Sequence, residues 1–269
     1  MKELSLIEIR KIQIDILSHF GDFCEKNNIQ YFLCNGTLLG AVKYGGYIPW
    51  DDDIDVCLPR SEYDRFIALY AKESDPRFEL RAFELDSKFL FPFSKLSDTQ
   101  THLLEGYAKD MDLGVNIDIF PIDNWGNSIQ EISKLYRKME RLRRGLTWAK
   151  TDKYVSSSKI KTICKVLLAT FHRIIGGERY CKKIITLAAM NAPCRYIGNC
   201  VWGFYGVGEA LPREQFQESV PVIFEGKTYP APIGYDQYLT GLYGDYRKDP
   251  PPEKQISHHK FKVYLKSNV

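Results

Sequence analysis

Apolar residues recur at three- and four-residue spacing from the start of the chain. Ile9, Ile12, Ile16, Phe20 and Phe23 line one side of an amphipathic helix over 5–27, which Asn27-Asn28 ends. Ile29–Cys34 then reads as a strand, Asn35-Gly36-Thr37 as a tight turn, and a short helix begins near Leu38. Gly45, Gly46 and Pro49 turn the chain into an alternating strand over 53–58, ended by Pro59. Tyr63, Phe66, Ile67 and Tyr70 mark a helix over 61–74, and 78–98 holds short strands, one of them carrying Lys95. Val115–Phe120 alternates again, with Asp118 between Ile117 and Ile119 and Pro121 as its stop. From 128 to 190 the pattern is helical, with a polar break at 151–158. Past 200 come Gly- and aromatic-rich turns at 202–208, a hairpin near 220–229 and a short helix over 235–242. A tail follows with Tyr243-Gly-Asp-Tyr246, Pro250-Pro-Pro252 and His258-His259, stiff enough to return toward a site.

The stretch IPWDDDIDV, 48–56, puts Asp51, Asp52, Asp53 and Asp55 within five positions and runs straight into a strand with a buried pattern. Carboxylates that close repel one another and lose hydration toward an apolar interior, so a fold that keeps them together calls for a cation. On a strand, Asp53 and Asp55 share one face, about 7 Å apart, while Ile54 and Val56 point to the other. That arrangement suits two Mg²⁺ ions, or Mn²⁺ in their place, which take hard oxygen ligands and leave positions open for phosphates. Asp51 and Asp52 precede the strand and are given a turn or supporting role. Asp118, an acid between two isoleucines of another strand, is the third expected metal-site carboxylate. The strand–turn–helix junction at Gly36-Thr37 offers backbone N–H groups to a phosphate.

The net charge of +3 is unevenly spread. Between Lys134 and Lys183 there are fifteen Lys and Arg against three acids, a net of +12 that leaves −9 for the rest. Either a solvated helical face, or an anionic membrane surface or polyanionic substrate, accounts for it. No zinc-finger, RRM-type or helix-turn-helix signature accompanies the charge, so nucleic acid is not the expected partner. Seven scattered cysteines without a CxxC pair speak against a disulfide framework or a zinc site. No apolar run is long enough to span a bilayer and the first residues are charged. The expected location is therefore the cytoplasm, at the inner face of the cell membrane.

Three segments carry a family resemblance: NGTLLGAVKYGGYIPWDDDIDV (35–56), NIDIFPID (116–123) and YGDY…PPEK…HH (243–259). Together they resemble the LicD family of phosphocholine transferases. The resemblance implies an α/β (α+β) fold with a nucleotidyltransferase-like mixed sheet, flanking helices and an added helical segment. It implies a catalytic core over 1–127, a basic helical segment over 128–200, and a C-terminal part over 201–269 that packs back to make one compact unit. It carries the catalytic and metal-binding roles onto Asp53, Asp55 and Asp118, and the phosphate-holding turn onto Gly36 and Thr37. Arg60, Lys95 and His258 are the further substrate-binding candidates.

The implied reaction moves phosphocholine from CDP-choline to a sugar hydroxyl of a lipid-linked surface glycan such as teichoic acid, lipopolysaccharide or capsule, with release of CMP. Another phospho-alcohol, from CDP-glycerol or CDP-ribitol, or a sugar phosphate is the alternative donor group, and a non-catalytic scaffold of the same fold is the alternative class. Asp118 serves either as ligand or as base. A quaternary ammonium calls for aromatic faces, and Trp202, Phe204, Tyr205, Tyr229, Tyr235 and Tyr238 are the candidates. Two departures stand out. Lys43-Tyr44 replaces a basic residue followed by His, and Arg247–Pro252 is a variant of the usual tail. A nucleotide-binding Gly-rich loop rests only on Gly203, Gly206 and Gly208, which lack the spacing of either known motif.

Overall fold

A computed structural model describes residues 2–73, 75–105, 112–151, 158–190, 192–256 and 261–266. Helix α1 (Leu6–Lys26) opens with Ser5 and Glu8 exchanging side-chain and backbone hydrogen bonds, a capping box that fixes its start. It buries Ile9, Ile16, Phe20 and Phe23, the stripe expected from the spacing. Strand β1 (Phe32–Leu33) is followed directly by helix α2 (Asn35–Tyr44), then β2 (Asp55–Pro59), α3 (Arg60–Tyr70), β3 (Phe78–Arg81), β4 (Ser94–Asp98), β5 (Thr101–Glu105) and β6 (Asn116–Gly126). The basic segment forms α4 (Ile129–Lys150), α5 (Lys159–Ile175) and α6 (Gly177–Ala189). Strands β7 (Tyr196–Gly198), β8 (Leu211–Pro212), β9 (Ser219–Phe224) and β10 (Lys227–Pro232), helix α7 (Tyr235–Tyr243) and β11 (Phe261–Leu265) complete the order.

The central sheet runs β1–β2–β6–β4–β3, with β7 joined to β6 and β8 to β7. Its β2–β6 pair is parallel and the other pairings are antiparallel. This is the mixed sheet with flanking helices expected of the chain. Val56, Leu58, Leu96, Ile117 and Ile119 are fully buried in the main core, and the residues alternating with them stand on the opposite face. The hairpin β9–β10 turns at Glu225-Gly226, both at positive φ, and α7 begins at Tyr235, both close to where the pattern put them.

Of the boundaries that differ from the sequence reading, three have a visible cause. Pro121 does not stop β6, which continues to Gly126. On that edge β4 pairs up to Ile119 and β7 from Asp123, so the missing N–H of Pro121 falls between the two. Asp53 lies outside β2, which starts at Asp55. Arg10 and Gln13 of α1 donate to the carbonyls of Asp51 and Asp52, taking acceptors that a strand partner would otherwise use. Helix α2 begins at Asn35 rather than near Leu38, with Cys34 as its N-cap and the Leu38 N–H bonded to the Cys34 carbonyl. Gly36 and Thr37 therefore belong to its first turn. Residues 152–157 of the expected polar break lie outside the described residues, as do His258 and His259.

Candidate active site

Strand register builds the site. Asp55 of β2 is the direct partner of Asp118 of β6, and Asp118 is the direct partner of Lys95 of β4. Residues at matched positions of neighbouring strands point to the same face, about 4.8 Å apart at the backbone. Asp55, Asp118 and Lys95 thus form one row across three strands. The Lys95 ammonium closes on the Asp118 carboxylate and also donates to Asn116 Oδ1 at 3.1 Å.

Asp55 is held from the other side by helix α2. Its backbone N–H donates to Thr37 Oγ1 at 2.8 Å, and its Oδ2 accepts from Asn35 Nδ2 at 3.1 Å. Asn35, at a φ of 46°, in turn accepts from the Tyr238 hydroxyl at 2.8 Å. A side chain on α7 thereby fixes, through one amide, the orientation of a carboxylate on β2. Gly36 has its own reason to be glycine: a Cβ there would lie 2.5 Å from Asp51 Oδ2. The Asp51 carboxylate approaches the first turn of α2, where the helix dipole favours an anion.

The acids crowd. Burial, followed by the charges of Asp55, Asp51 and Asp118 and a hydrogen bond with Asp51, pushes the Asp53 carboxyl well above its ordinary range. Asp55 is pushed up to about 8, by burial first and then by Asp118, against the pull of Asn35 and Lys95. One oxygen each of Asp51, Asp52 and Asp53 lies within 4.8 Å of the others. An all-carboxylate donor set, partly desolvated and electrostatically uncomfortable with itself, fits a hard divalent cation. Asp51, given a turn or supporting role from the sequence, belongs to this set by proximity.

The other candidates fall in different places. Arg60 opens α3 just past the far end of β2, five residues beyond Asp55, and grips buried Asp123 with two bonds of 2.7 and 2.8 Å. It is committed to that ion pair. Tyr229 packs on Phe224 in the hairpin, and Tyr238 is buried with its hydroxyl on Asn35, so neither presents a ring face to the row. Trp202 does adjoin the row. Its ring packs at 6.2 Å on Phe91 and 5.4 Å on Phe93, the two rings that flank the Lys95 ammonium. Tyr205 packs edge-on against Tyr243 at 5.3 Å, and the charges of Asp55 and Asp51 are among the causes that raise both phenols.

The two departures from the family pattern meet in space. The Lys43 ammonium binds Asp249 at 2.6 Å, and the Tyr44 hydroxyl donates to the same carboxylate. Lys43 also donates to the Tyr246 carbonyl at 3.2 Å. The tail segment over 243–249 thus returns onto the end of α2, as its rigidity suggested. Asn35, Asp51, Tyr238 and Tyr243 are site residues that the sequence reading did not single out for these roles. Asn35 and Asp51 lie inside the quoted motif, whereas the distance in sequence between Tyr238 and Asn35 gave no local signal.

The mixed sheet sets this acid row opposite the first turn of a helix. The LicD/FKTN/FKRP nucleotidyltransferase domain matches residues 28–104, the part that contains α2, the acid stretch and β4. The chain is 31% identical over 270 residues to the lipopolysaccharide cholinephosphotransferase LicD of Haemophilus influenzae, covering 98% of this chain and all of that protein. Shorter stretches match uncharacterised proteins of Rickettsia prowazekii (36% over 78 residues, 29% of this chain and 25% of that one) and Rickettsia typhi (46% over 55 residues, 20% and 16%). The chain belongs to the LicD family and is a phosphotransferase.

Proposed function

We propose that this enzyme moves phosphocholine from CDP-choline to a sugar hydroxyl of a surface-glycan precursor, releasing CMP. The observation that carries the chemistry is the pairing of Asp55 with Asp118 in matched register, with Lys95 at the end of the row and Asp53 close enough to feel both carboxylates. The likeness to a lipopolysaccharide cholinephosphotransferase over 98% of the chain supports the choice of group transferred. In the reaction the sugar oxygen attacks the β-phosphorus of the donor, the bond from that phosphorus to the bridging oxygen breaks, and CMP departs with the bond's electron pair.

Asp51, Asp53, Asp55 and Asp118 are the residues that would hold Mg²⁺ or Mn²⁺. Such ions supply neutralisation of the diphosphate and acidify the attacking hydroxyl. The protein's own groups do the positioning. Tyr238 and Asn35 orient Asp55. Lys95 holds Asp118 beside it, in place to ligate or to take the hydroxyl proton. Tyr205 and Tyr243, and Trp202 packed on the Phe91 and Phe93 rings that flank Lys95, offer the ring faces that a trimethylammonium group prefers to hydrogen-bond donors.

The test is mass spectrometry of a lipid-linked glycan fraction incubated with the protein, CDP-choline and Mg²⁺. We expect the glycan to gain one phosphocholine unit, with chelator suppressing the gain. A gain only with CDP-glycerol or CDP-ribitol would replace the donor in this reading and keep the chemistry.

A further inference from the structure

Helix α5 carries its apolar side outward. Ile160, Ile163, Leu167, Phe171 and Ile174 follow one another at spacings of three and four, which at 100° per residue makes one stripe along the helix. Ile160 is 74% exposed, Leu167 65% and Ile174 78%, and Ile163 and Phe171 are exposed with them. The opposite side, with Thr162, Lys165, Ala169 and His172, is the less exposed one; Ala169 is fully buried, and α5 packs against α4 and α6. His172 hydrogen-bonds there to the Tyr180 hydroxyl at 2.7 Å. A helix folded for water alone would face the other way, with the isoleucines inward and the lysine outward.

The charge around the stripe says what covers it. Lys159 and Lys161 are exposed and flank the stripe, one on each side of it, and α5 contains no acid. Arg173, Arg179, Lys182 and Lys183 add exposed cations on α5 and α6, with Glu178 the one acid between 159 and 183. A self-complementary contact between two copies would set this lysine-flanked face against itself, with no carboxylate on the helix to answer it. An anionic lipid surface answers both features at once, taking apolar side chains at the acyl boundary and lysines among its head groups.

We propose that α5 is an interfacial helix that docks the protein on an anionic phospholipid bilayer, lying in its surface. It does not cross the bilayer: among the described residues no helix is long and apolar enough to do so.

The experiment is flotation of the full chain with vesicles of phosphatidylcholine, alone or mixed with phosphatidylglycerol. We expect the protein to float with the mixed vesicles and to be released by high salt, because surface charge is screened within a Debye length. The double variant Leu167→Ser, Phe171→Ser is expected to bind about tenfold more weakly or worse, and removing Lys159 or Lys161 to weaken binding roughly fivefold each. Circular dichroism and melting show whether the variants keep the fold. Measured against the parent with its four native tryptophans, Leu167→Trp should add shorter-wavelength emission on mixed vesicles that brominated acyl chains quench, which keeps the test valid if the double variant misfolds. Failure to float with mixed vesicles, flotation unchanged in a folded double variant, or an unquenched Trp would each overturn the proposal. A concentration-dependent dimer abolished by the double variant, with no vesicle binding, would overturn it in favour of a second copy.

Discussion

Asp55 and Asp118 stand directly opposite each other on the parallel strands β2 and β6, two carboxylates in matched register with Asp53 close by. Burial and mutual repulsion of such a pair oppose folding unless a cation compensates them. We expect Asp55→Asn to raise the melting temperature of the cation-free protein by a few degrees, about 1 kcal/mol, and Asp118→Asn to gain less because it leaves the Lys95 ammonium without its carboxylate, while each lowers transfer activity roughly a hundred- to a thousandfold. Melting curves in chelator and steady-state rates on the same preparations check both halves. A variant less stable than the parent would mean that the pair is already compensated within the protein.

A cation bound at the acids should repay that opposition. Mg²⁺ or Mn²⁺ is expected to raise the melting temperature of the parent protein in a concentration-dependent way, since a ligand that binds only the folded state stabilises it by mass action. Asp53→Asn should shrink the shift and the double variant Asp53→Asn, Asp118→Asn should remove it. An equal shift in all three proteins would place the ion elsewhere.

Tyr238 reaches Asp55 through Asn35, so its hydroxyl is a positioning group. Tyr238→Phe keeps the buried ring and removes the donor. The expected cost is about 1 kcal/mol of stability, with kcat reduced and KM for the donor little changed. A purely structural hydroxyl would show the stability loss without the loss in kcat.

Buried Glu209 gives the fold a pH dependence whose sign can be worked out. Burial raises its carboxyl from 4.5 to about 7, although the Tyr205 N–H and Arg143 pull the other way. The folded state therefore holds this proton more tightly than the unfolded chain between those two values. Stability from this group falls as pH rises through that window, and the deficit is complete above pH 7, on the order of a few kcal/mol. Glu209→Gln should flatten the stability profile between pH 4.5 and 7 and leave the protein more stable than the parent above it. Denaturant melts across that range measure it, and identical slopes would contradict it.

The parts of the fold written in local pattern were legible in the sequence. The period of Ile9–Phe23 marked α1, the hairpin expected near 220–229 is β9–β10, and Asp118 between two isoleucines announced an acid on a strand. What was misread depended on partners far along the chain. Pro121 looked like a strand end because its missing N–H has a price only where a neighbour would use it, and here two neighbours leave a gap. Asp53 looked like part of β2 because alternation does not report that Arg10 and Gln13 occupy the carbonyls before it. The link from Tyr238 to Asn35 joins residues 203 apart in the chain, and nothing in either local sequence foretells it. The basic character of 134–183 was plain, but the outward apolar face of α5 emerged only when Ala169 and its neighbours were seen to point inward.

The most direct test is CMP release from CDP-choline, CDP-glycerol and CDP-ribitol, side by side, with Mg²⁺ and a lipid-linked glycan fraction, using the parent protein and Asp118→Asn. The expected result is CMP from CDP-choline in preference to the other two, lost in chelator and in the variant. CMP from none of the three with a folded, Mg²⁺-binding protein, or undiminished release by Asp118→Asn, would contradict the assignment of the acid row as a phosphocholine-transfer centre.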